Sequence, residues 1–288
     1  MDSISIPRKE LEWRTGSGED VLFLLIMKIK IYQVDAFTDK LFSGNPAAVC
    51  PLDRWLRNDV LQNIAMENNL AETAFYVKNG DVYEIRWFTP TVEVDLCGHA
   101  TLAAAYILFM EEESGNDKIT FHSPRSGELI VEKGNNMYTL NFPADEYSKT
   151  PLTPDLAACF DIPAQEAYKG KTDYMLVFAD ESQIESIIPD LKRIADVPAR
   201  GVITTAKGND VDFVSRFFGP ASGINEDPVT GSAHTTLTPY WHSRTGKTVM
   251  TAKQLSPRGG YLTCSWLGDR VAISGQAKLY LSGEIEVE

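Results

Sequence analysis

With 288 residues, 43% of them hydrophobic and 23% charged, the chain has the make-up of a soluble globular protein, long enough for two domains of about 130 residues each. A net charge of −13 argues against a nucleic-acid or anionic-membrane partner, since both need a basic surface, but is compatible with a small anionic ligand held at a local positive site. The four cysteines, Cys50, Cys97, Cys159 and Cys264, are scattered and form no C-x-x-C pair, which points to a reduced, cytoplasmic protein.

Residues Met1 to Ile26 differ from the rest: a polar, mixed-charge stretch ends in the apolar run Val21 to Ile26. That run is short of the roughly 20 residues a bilayer span needs, and Glu19 and Asp20 stand where a signal peptide would be basic. An extension upstream of a start at Met27 is the expected account, with an extra edge strand as the alternative. Alternation predicts a strand over Lys28 to Asp35, then a Gly44-Asn45-Pro46 loop and a second strand through Ala48 to Cys50. Apolar residues at helical spacing predict a helix from Asp53 to Asn68, with Asp53 as its cap. A strand from Leu70 to Val77 and one from Val82 to Phe88, joined at Asn79-Gly80-Asp81, read as a hairpin.

The stretch Val92-Glu93-Val94-Asp95-Leu96-Cys97-Gly98-His99 then delivers the chain to an Ala- and Leu-rich helix running from Gly98 to Glu113. Three strands, Ile119 to His122, Glu128 to Glu132 and Met137 to Phe142, form a meander. Pro143, Pro151 and Pro154 mark an interdomain linker, dividing 27–143 from 144–288. The second half predicts a short helix from Pro154, a strand over Tyr174 to Ala179, one helical piece from Ser182 to Ile194, and strands over Gly201 to Thr205 and Asp212 to Phe218. A helix opens at Gly231 and should be kinked by Pro239; strands over Thr248 to Leu255, Gly260 to Trp266 and Arg270 to Gly275 close the domain.

Two helix starts resemble each other. Aligned on Gly98 and Gly231, Cys97 faces Thr230, His99 faces Ser232, and Phe88-Thr89-Pro90 upstream is echoed by Phe218-Gly219-Pro220. The echo is either an internal duplication or chance. A glycine at a helix start lets an anion approach N–H groups that have no intrahelical partner. Thr230, Gly231 and Ser232 at one start and Gly98 at the other are therefore candidate ligand contacts.

Three residues are candidates for proton chemistry. Glu72, among Leu70, Ala74, Phe75 and Val77, is either the wet face of a half-buried strand or a desolvated acid with a raised pKa. His99 is either a neutral hydrogen-bond partner at a helix mouth or a residue making only a local bond. Asp227 is either part of the same site or a helix-dipole partner. Cys97 is a thiol activated by a helix N-terminus or a buried packing residue. There is no G-x-G-x-x-G, no P-loop and no G-x-S-x-G, and one Cys-x-His is too little for zinc, so no nucleotide, flavin or metal is expected.

The ordered set Val34-Asp35-Ala36-Phe37, Gly44-Asn45-Pro46, Asn69-Leu70-Ala71-Glu72-Thr73-Ala74-Phe75, Phe88-Thr89-Pro90, Asp95-Leu96-Cys97-Gly98-His99-Ala100-Thr101 and Asp227-Pro228-Val229-Thr230-Gly231-Ser232-Ala233 strongly resembles the phenazine-biosynthesis PhzF-like isomerase family, over essentially Met27 to Glu288. The resemblance implies a diaminopimelate epimerase-like α/β (α+β) fold: two similar domains, each a curved, barrel-like mixed sheet around a central helix, with a ligand in the cleft between. It also implies a cofactor-free isomerase, commonly a homodimer, in which Glu72 shuttles a proton between carbons of a small acid while His99 and Asp227 orient the substrate. Two departures stand out. Thr230 occupies the place of a second thiol, which disfavours two-thiol racemisation, and Ala71 stands where a Ser often precedes the glutamate. An amino-acid racemase and a catalytically silent binder of small acids are the competing expectations.

Overall fold

The computed structural model describes residues 27–113 and 115–288, so the expected extension over residues 1–26 lies outside the described residues. The first half runs β1 (Met27–Ala36), β2 (Asn45–Leu52), α1 (Asn58–Asn68), β3 (Glu72–Asn79), β4 (Val82–Phe88), β5 (Glu93–Val94), α2 (Gly98–Glu111), β6 (Lys118–Ser123), β7 (Gly127–Gly134) and β8 (Met137–Pro143). The second runs β9 (Ser148–Thr150), α3 (Pro154–Ala157), β10 (Glu166–Lys169), β11 (Asp173–Val177), α4 (Glu181–Ser186), α5 (Leu191–Asp196), β12 (Gly201–Lys207), β13 (Phe213–Phe218), α6 (Gly231–Thr245), β14 (Val249–Gln254), β15 (Gly260–Trp266), β16 (Arg270–Gly275) and β17 (Ala277–Val287).

Strand pairing decides between duplication and chance. Along the first half, β1–β2 is antiparallel, β2–β3 parallel, β3–β4 antiparallel, β4–β6 parallel, and β6–β7 and β7–β8 antiparallel. Along the second, β10–β11, β11–β12, β12–β13, β13–β14, β14–β15 and β15–β16 repeat that order of senses. The echoed Phe88 and Phe218 end equivalent strands, β4 and β13. The halves join where β8 pairs antiparallel with β16. Beyond that seam β9, which follows β8, pairs with β10 within the second half, and β17, which follows β16, returns to pair with β1 of the first.

Within this frame α2 is buried nearly all round, through Ala100, Leu102, Ala103, Ala104, Ala105, Ile107, Leu108 and Phe109, which is why its sequence shows a continuous apolar run instead of a stripe. α6 occupies the equivalent place and shares the same core cluster through Ala233, Leu237 and Trp241. Pro239 leaves the carbonyl of Thr235 without its usual helical donor, and the Asp145 N–H donates to that oxygen at 3.1 Å instead.

Several sequence expectations need correction. α1 starts at Asn58 with Arg57 as its N-cap, so Asp53 caps nothing; its stop at Asn69 follows from a left-handed φ of 49°. The single helical piece over Ser182 to Ile194 is two helices, because Pro189 lies between them and Asp190 caps the second by accepting from the Arg193 N–H. β10 and β17 have no counterpart in the sequence reading. The stretch Glu284-Ile285-Glu286-Val287 does alternate, but the exposure of most of β17 weakens the signal.

The connection from β1 to β2 is held tightly by the second half. Phe37 is fully buried, and a Cβ on Gly275 would sit 2.3 Å from its ring. Gly275→Ala is accordingly expected to lower stability by ~1–3 kcal/mol through overpacking, measured by denaturant unfolding. An unchanged midpoint would show that Phe37 can shift without cost.

Candidate active site

Parallel pairing of β2 with β3 sets Glu72, the first residue of β3, beside Ala47, so Glu72 and Asn45 start neighbouring strands at one end of the sheet. That end is also where α2 begins: Cys97 is the N-cap and His99 lies in the first turn. From the other half, Thr230 is the N-cap of α6, and Asp227 lies just before it with its N–H donated to the Phe217 carbonyl at 3.0 Å. Neither N-cap side chain accepts a bond from its helix. Thr230 is chemically suited to do so, but its hydroxyl donates to Asp227 Oδ2 at 2.5 Å instead. The echo persists one turn on, where Thr101 Oγ1 donates to the Cys97 carbonyl at 2.6 Å and His234 Nδ1 meets the Thr230 carbonyl at 2.8 Å.

Asn45 joins the two halves. Its amide nitrogen donates to Asp227 Oδ1 at 2.8 Å and to the Val229 carbonyl at 2.9 Å, and lies 3.3 Å from His99 Nδ1. A carboxylate and a carbonyl are acceptors only, which fixes the amide orientation. His99 Nδ1 faces the Asn45 amide nitrogen, which cannot accept a hydrogen bond, and at 3.5 Å the Cys97 sulfur, so Nδ1 is assigned as the acceptor nitrogen. That assignment puts the proton of the neutral ring on Nε2, 3.3 Å from Glu72 Oε2. The two atoms are close yet not aligned as a hydrogen bond, and both lack a partner within the protein.

Burial dominates the electrostatics. The Glu72 side chain is 12% exposed, which rules out the wet-strand reading. Loss of hydration, then the nearby Asp227 carboxylate, pushes its pKa up to about 8, with Cys97 and Arg200 opposing. Burial raises Asp227 to about 6 against the hydrogen bonds from Thr230 and Asn45. His99 falls to about 3 and is neutral, with burial as the cause. Cys97 is buried, and desolvation followed by Glu72 drives its thiol well above the usual range, opposite to activation by a helix end. Its neighbour Leu96 is 42% exposed, so the buried pocket is made by other elements.

Glu72, Cys97 and His99 place donor atoms within 4.8 Å of one another, a closer approach to a metal set than the Cys-x-His spacing suggested. The thiol is nearest Nδ1 and the carboxylate nearest Nε2, and the two ring nitrogens direct their lone pairs apart, so one ion cannot use both of these contacts. Proton exchange suits the arrangement better. A cavity of 890 Å³, lined by Lys28, Tyr32, Tyr76 and Glu112, lies at the opposite end of α2. Sequence reasoning passed over Asn45 as a site residue, and over Gln254, which donates to the Asp227 carbonyl at 2.7 Å and accepts from the Thr230 N–H at 2.8 Å. Asn45 was visible only as part of a Gly-Asn-Pro turn; Gln254 has no local signal. Among the described residues no helix is long and apolar enough to cross a membrane.

Comparison with known proteins follows the same lines. A family model described as phenazine biosynthesis-like protein, PhzC-PhzF, matches residues 34–283. An uncharacterized isomerase of Pseudomonas aeruginosa is 49% identical over 261 residues, covering 91% of this chain and all of that protein. The crystal structure of a PhzF-family protein from Enterococcus faecalis superposes with a TM-score of 0.88 at 48% identity, over 90% of this chain and 99% of that one. A hydroxyproline epimerase from Agrobacterium vitis, solved with bound trans-4-hydroxy-L-proline, shares the fold, with a TM-score of 0.53 at 10% identity over 90% of this chain and 93% of that one. The duplicated, epimerase-like architecture and the full-length match together place the chain in the phenazine biosynthesis-like family, as one of its isomerases.

Proposed function

We propose that this isomerase moves a proton between carbons of a small carboxylic or amino acid without a cofactor, with Glu72 as the general acid and base. The observation that carries this reading is a pair of buried polar atoms 3.3 Å apart, Glu72 Oε2 and His99 Nε2, neither of which has a hydrogen-bond partner in the protein. Folded proteins pair nearly all such atoms, so two of them side by side suit the polar groups of a ligand. The N–H groups opening α2 at Gly98 and His99 and α6 at Gly231 and Ser232 would receive its carboxylate, aided by both helix dipoles. Ser232 is exposed, which leaves this side of the site open to solvent.

A carboxyl group with a pKa of about 8 suits the chemistry, because ionising it at pH 7 costs only about 1.4 kcal/mol. Ionised Glu72, a stronger base than an ordinary carboxylate, takes the proton from one carbon; the resulting acid keeps it, without losing it to water, until it is returned to another. The Nε2–H of neutral His99 donates to the oxygen on which negative charge develops and, with a pKa near 3, does not compete for the migrating proton. Asp227 anchors Asn45 and raises the proton affinity of Glu72.

Glu72→Gln is expected to fold and bind ligand but to lose ~10²–10⁴-fold in kcat, since Gln cannot cycle between acid and base. Transfer of solvent deuterium to a migrated carbon, measured with small acids found by thermal-shift screening, provides the assay. Near-wild-type turnover in the folded variant would exclude the mechanism.

The pH dependence has a defined sign. Glu72 has a folded-state pKa above its unfolded value near 4.5, so the protein loses stability as pH rises between about 4.5 and about 8. Catalysis runs the other way: kcat/KM should rise toward pH 8 as Glu72 ionises, then level off. Melting curves for wild type and Glu72→Gln should diverge in that window, with the variant the more stable at high pH; parallel curves would show an ordinary, hydrated glutamate.

Cys97→Ala should retain most activity, and alkylation of Cys97 in the native protein should be slow, because the thiol is buried, protonated and without a partner thiol at Thr230. Complete inactivation of a folded Cys97→Ala protein would turn the assignment toward thiol-based racemisation.

A further inference from the structure

The turn that delivers Asn45 to the site has an unfavourable backbone. Phe37 and Phe42 take positive φ values of 63° and 66°, which residues with a side chain hold only when their surroundings impose it. Gly44 follows at 67°, with so little room that a Cβ would lie 2.2 Å from the Ala36 carbonyl oxygen. Such a segment needs external restraint, and the restraint comes from the loop between β14 and β15 in the other half.

Arg258 in that loop spends two guanidinium nitrogens on this turn. Its Nε donates to the Gly44 carbonyl at 2.8 Å, and its Nη2 donates to the Ser43 carbonyl at 3.0 Å and to Asp35 Oδ1 at 2.8 Å. Buried Asp35 accepts from the Phe42 N–H at 3.0 Å with its other oxygen, closing the turn from within. The Gly44 N–H donates to the Gly259 carbonyl at 2.7 Å, and the Tyr261 N–H donates to the Phe37 carbonyl at 3.0 Å. The same loop holds the Asp227 segment, since Ser256 Oγ donates to the Pro228 carbonyl at 2.8 Å and Gln254 binds the Asp227 carbonyl. One loop thus brackets both chain segments whose side chains meet at the Asn45 amide.

We propose that Arg258 is a positioning residue for the acid–base site: by fixing the Gly44-Asn45 turn it keeps the Asn45 amide against His99 Nδ1, and so holds the His99 proton on Nε2, facing Glu72. Arg258 contacts neither His99 nor Glu72 in the hydrogen-bond network; it acts through Asn45. Its effect on turnover rests on the function proposed above, whereas its effect on the His99 tautomer does not.

The test is nitrogen NMR of 15N-histidine-labelled protein, with His99 assigned from a His99→Asn variant. Wild type should show an acceptor-type Nδ1 and a protonated Nε2. In Arg258→Ala the two His99 signals should move toward each other as the tautomers mix, with the other histidines unmoved; Arg258→Lys should restore part of the pattern, and Asn45→Ala should reproduce the loss. Once substrate is known, kcat of Arg258→Ala should fall roughly 10²-fold with KM little changed, the scale expected when a reacting group is misplaced by about 1 Å. Arg270→Ala is the control, because Arg270 also makes two hydrogen bonds across the sheet, to Asn141, away from the site. An unshifted His99 pattern in folded Arg258→Ala, or an equal shift in Arg270→Ala, would overturn the proposal. Should Arg258→Ala fail to fold, Asp35→Asn, which weakens the same clamp while keeping an oxygen acceptor, must show the shift, and its absence there counts equally against the clamp. A shifted tautomer together with an active Glu72→Gln would sink the catalytic reading and leave the clamp standing.

Discussion

The arrangement depends on one amide nitrogen. Asn45 Nδ2 lies within 3.3 Å of three acceptors drawn from both halves: Asp227 Oδ1, the Val229 carbonyl and His99 Nδ1. With two hydrogens for three acceptors, the amide cannot turn over without setting its oxygen against a carboxylate and a carbonyl. It thereby links the start of α2 to the segment that opens α6 and leaves His99 Nδ1 facing a group that cannot accept a proton. The amide oxygen, left over in this arrangement, has no partner within the protein.

The fold supports that contact through its pseudo-symmetry. Parallel β2–β3 and β4–β6 pairings place the starts of β2, β3 and α2 at one end of the strands of the first half, and the repeated order of pairing does the same for α6 in the second half of the continuous sheet. Pairing of β17 with β1, with the β8–β16 seam, ties the two halves together. The duplication is imperfect where the chemistry lies. Glu72 opens β3, whereas Gly201 opens the equivalent β12, preceded by Arg200 in an ion pair with buried Asp173. The scaffold thus carries a carboxyl at only one of its two equivalent strand starts, with a cation before the other that favours the ionised form of Glu72.

Stability and function pull against each other at this point. Glu72 and Asp227 are two buried carboxyls that each raise the cost of charge, and unpartnered atoms beside them forgo hydrogen bonds that water supplies in the unfolded chain. A site that pairs its own polar atoms fully would be more stable and would have nothing to offer a ligand. The hydrogen-bonded frame of Gln254, Thr230 and Ser256 around Asp227 shows where compensation is made.

Much of this was legible in the sequence, for local reasons. Helix starts at Gly98 and Gly231, the stop at Asn69, the hairpin at Gly80 and the last three β-strands before β17 follow from turn chemistry and periodicity, which act within a few residues. Glu72, His99 and Asp227 could be singled out because a carboxylate in an apolar strand and polar groups at helix mouths are locally anomalous. What the sequence could not decide was whether those anomalies meet. Solvated acid and desolvated acid read alike until tertiary packing covers Glu72 and sets Asp227 near it, and a helix-end cysteine reads as activated until burial is seen to outweigh the dipole. Asn45, Gln254 and Arg258 matter through partners up to 223 residues away along the chain, and separations of that length leave no pattern in a sequence window.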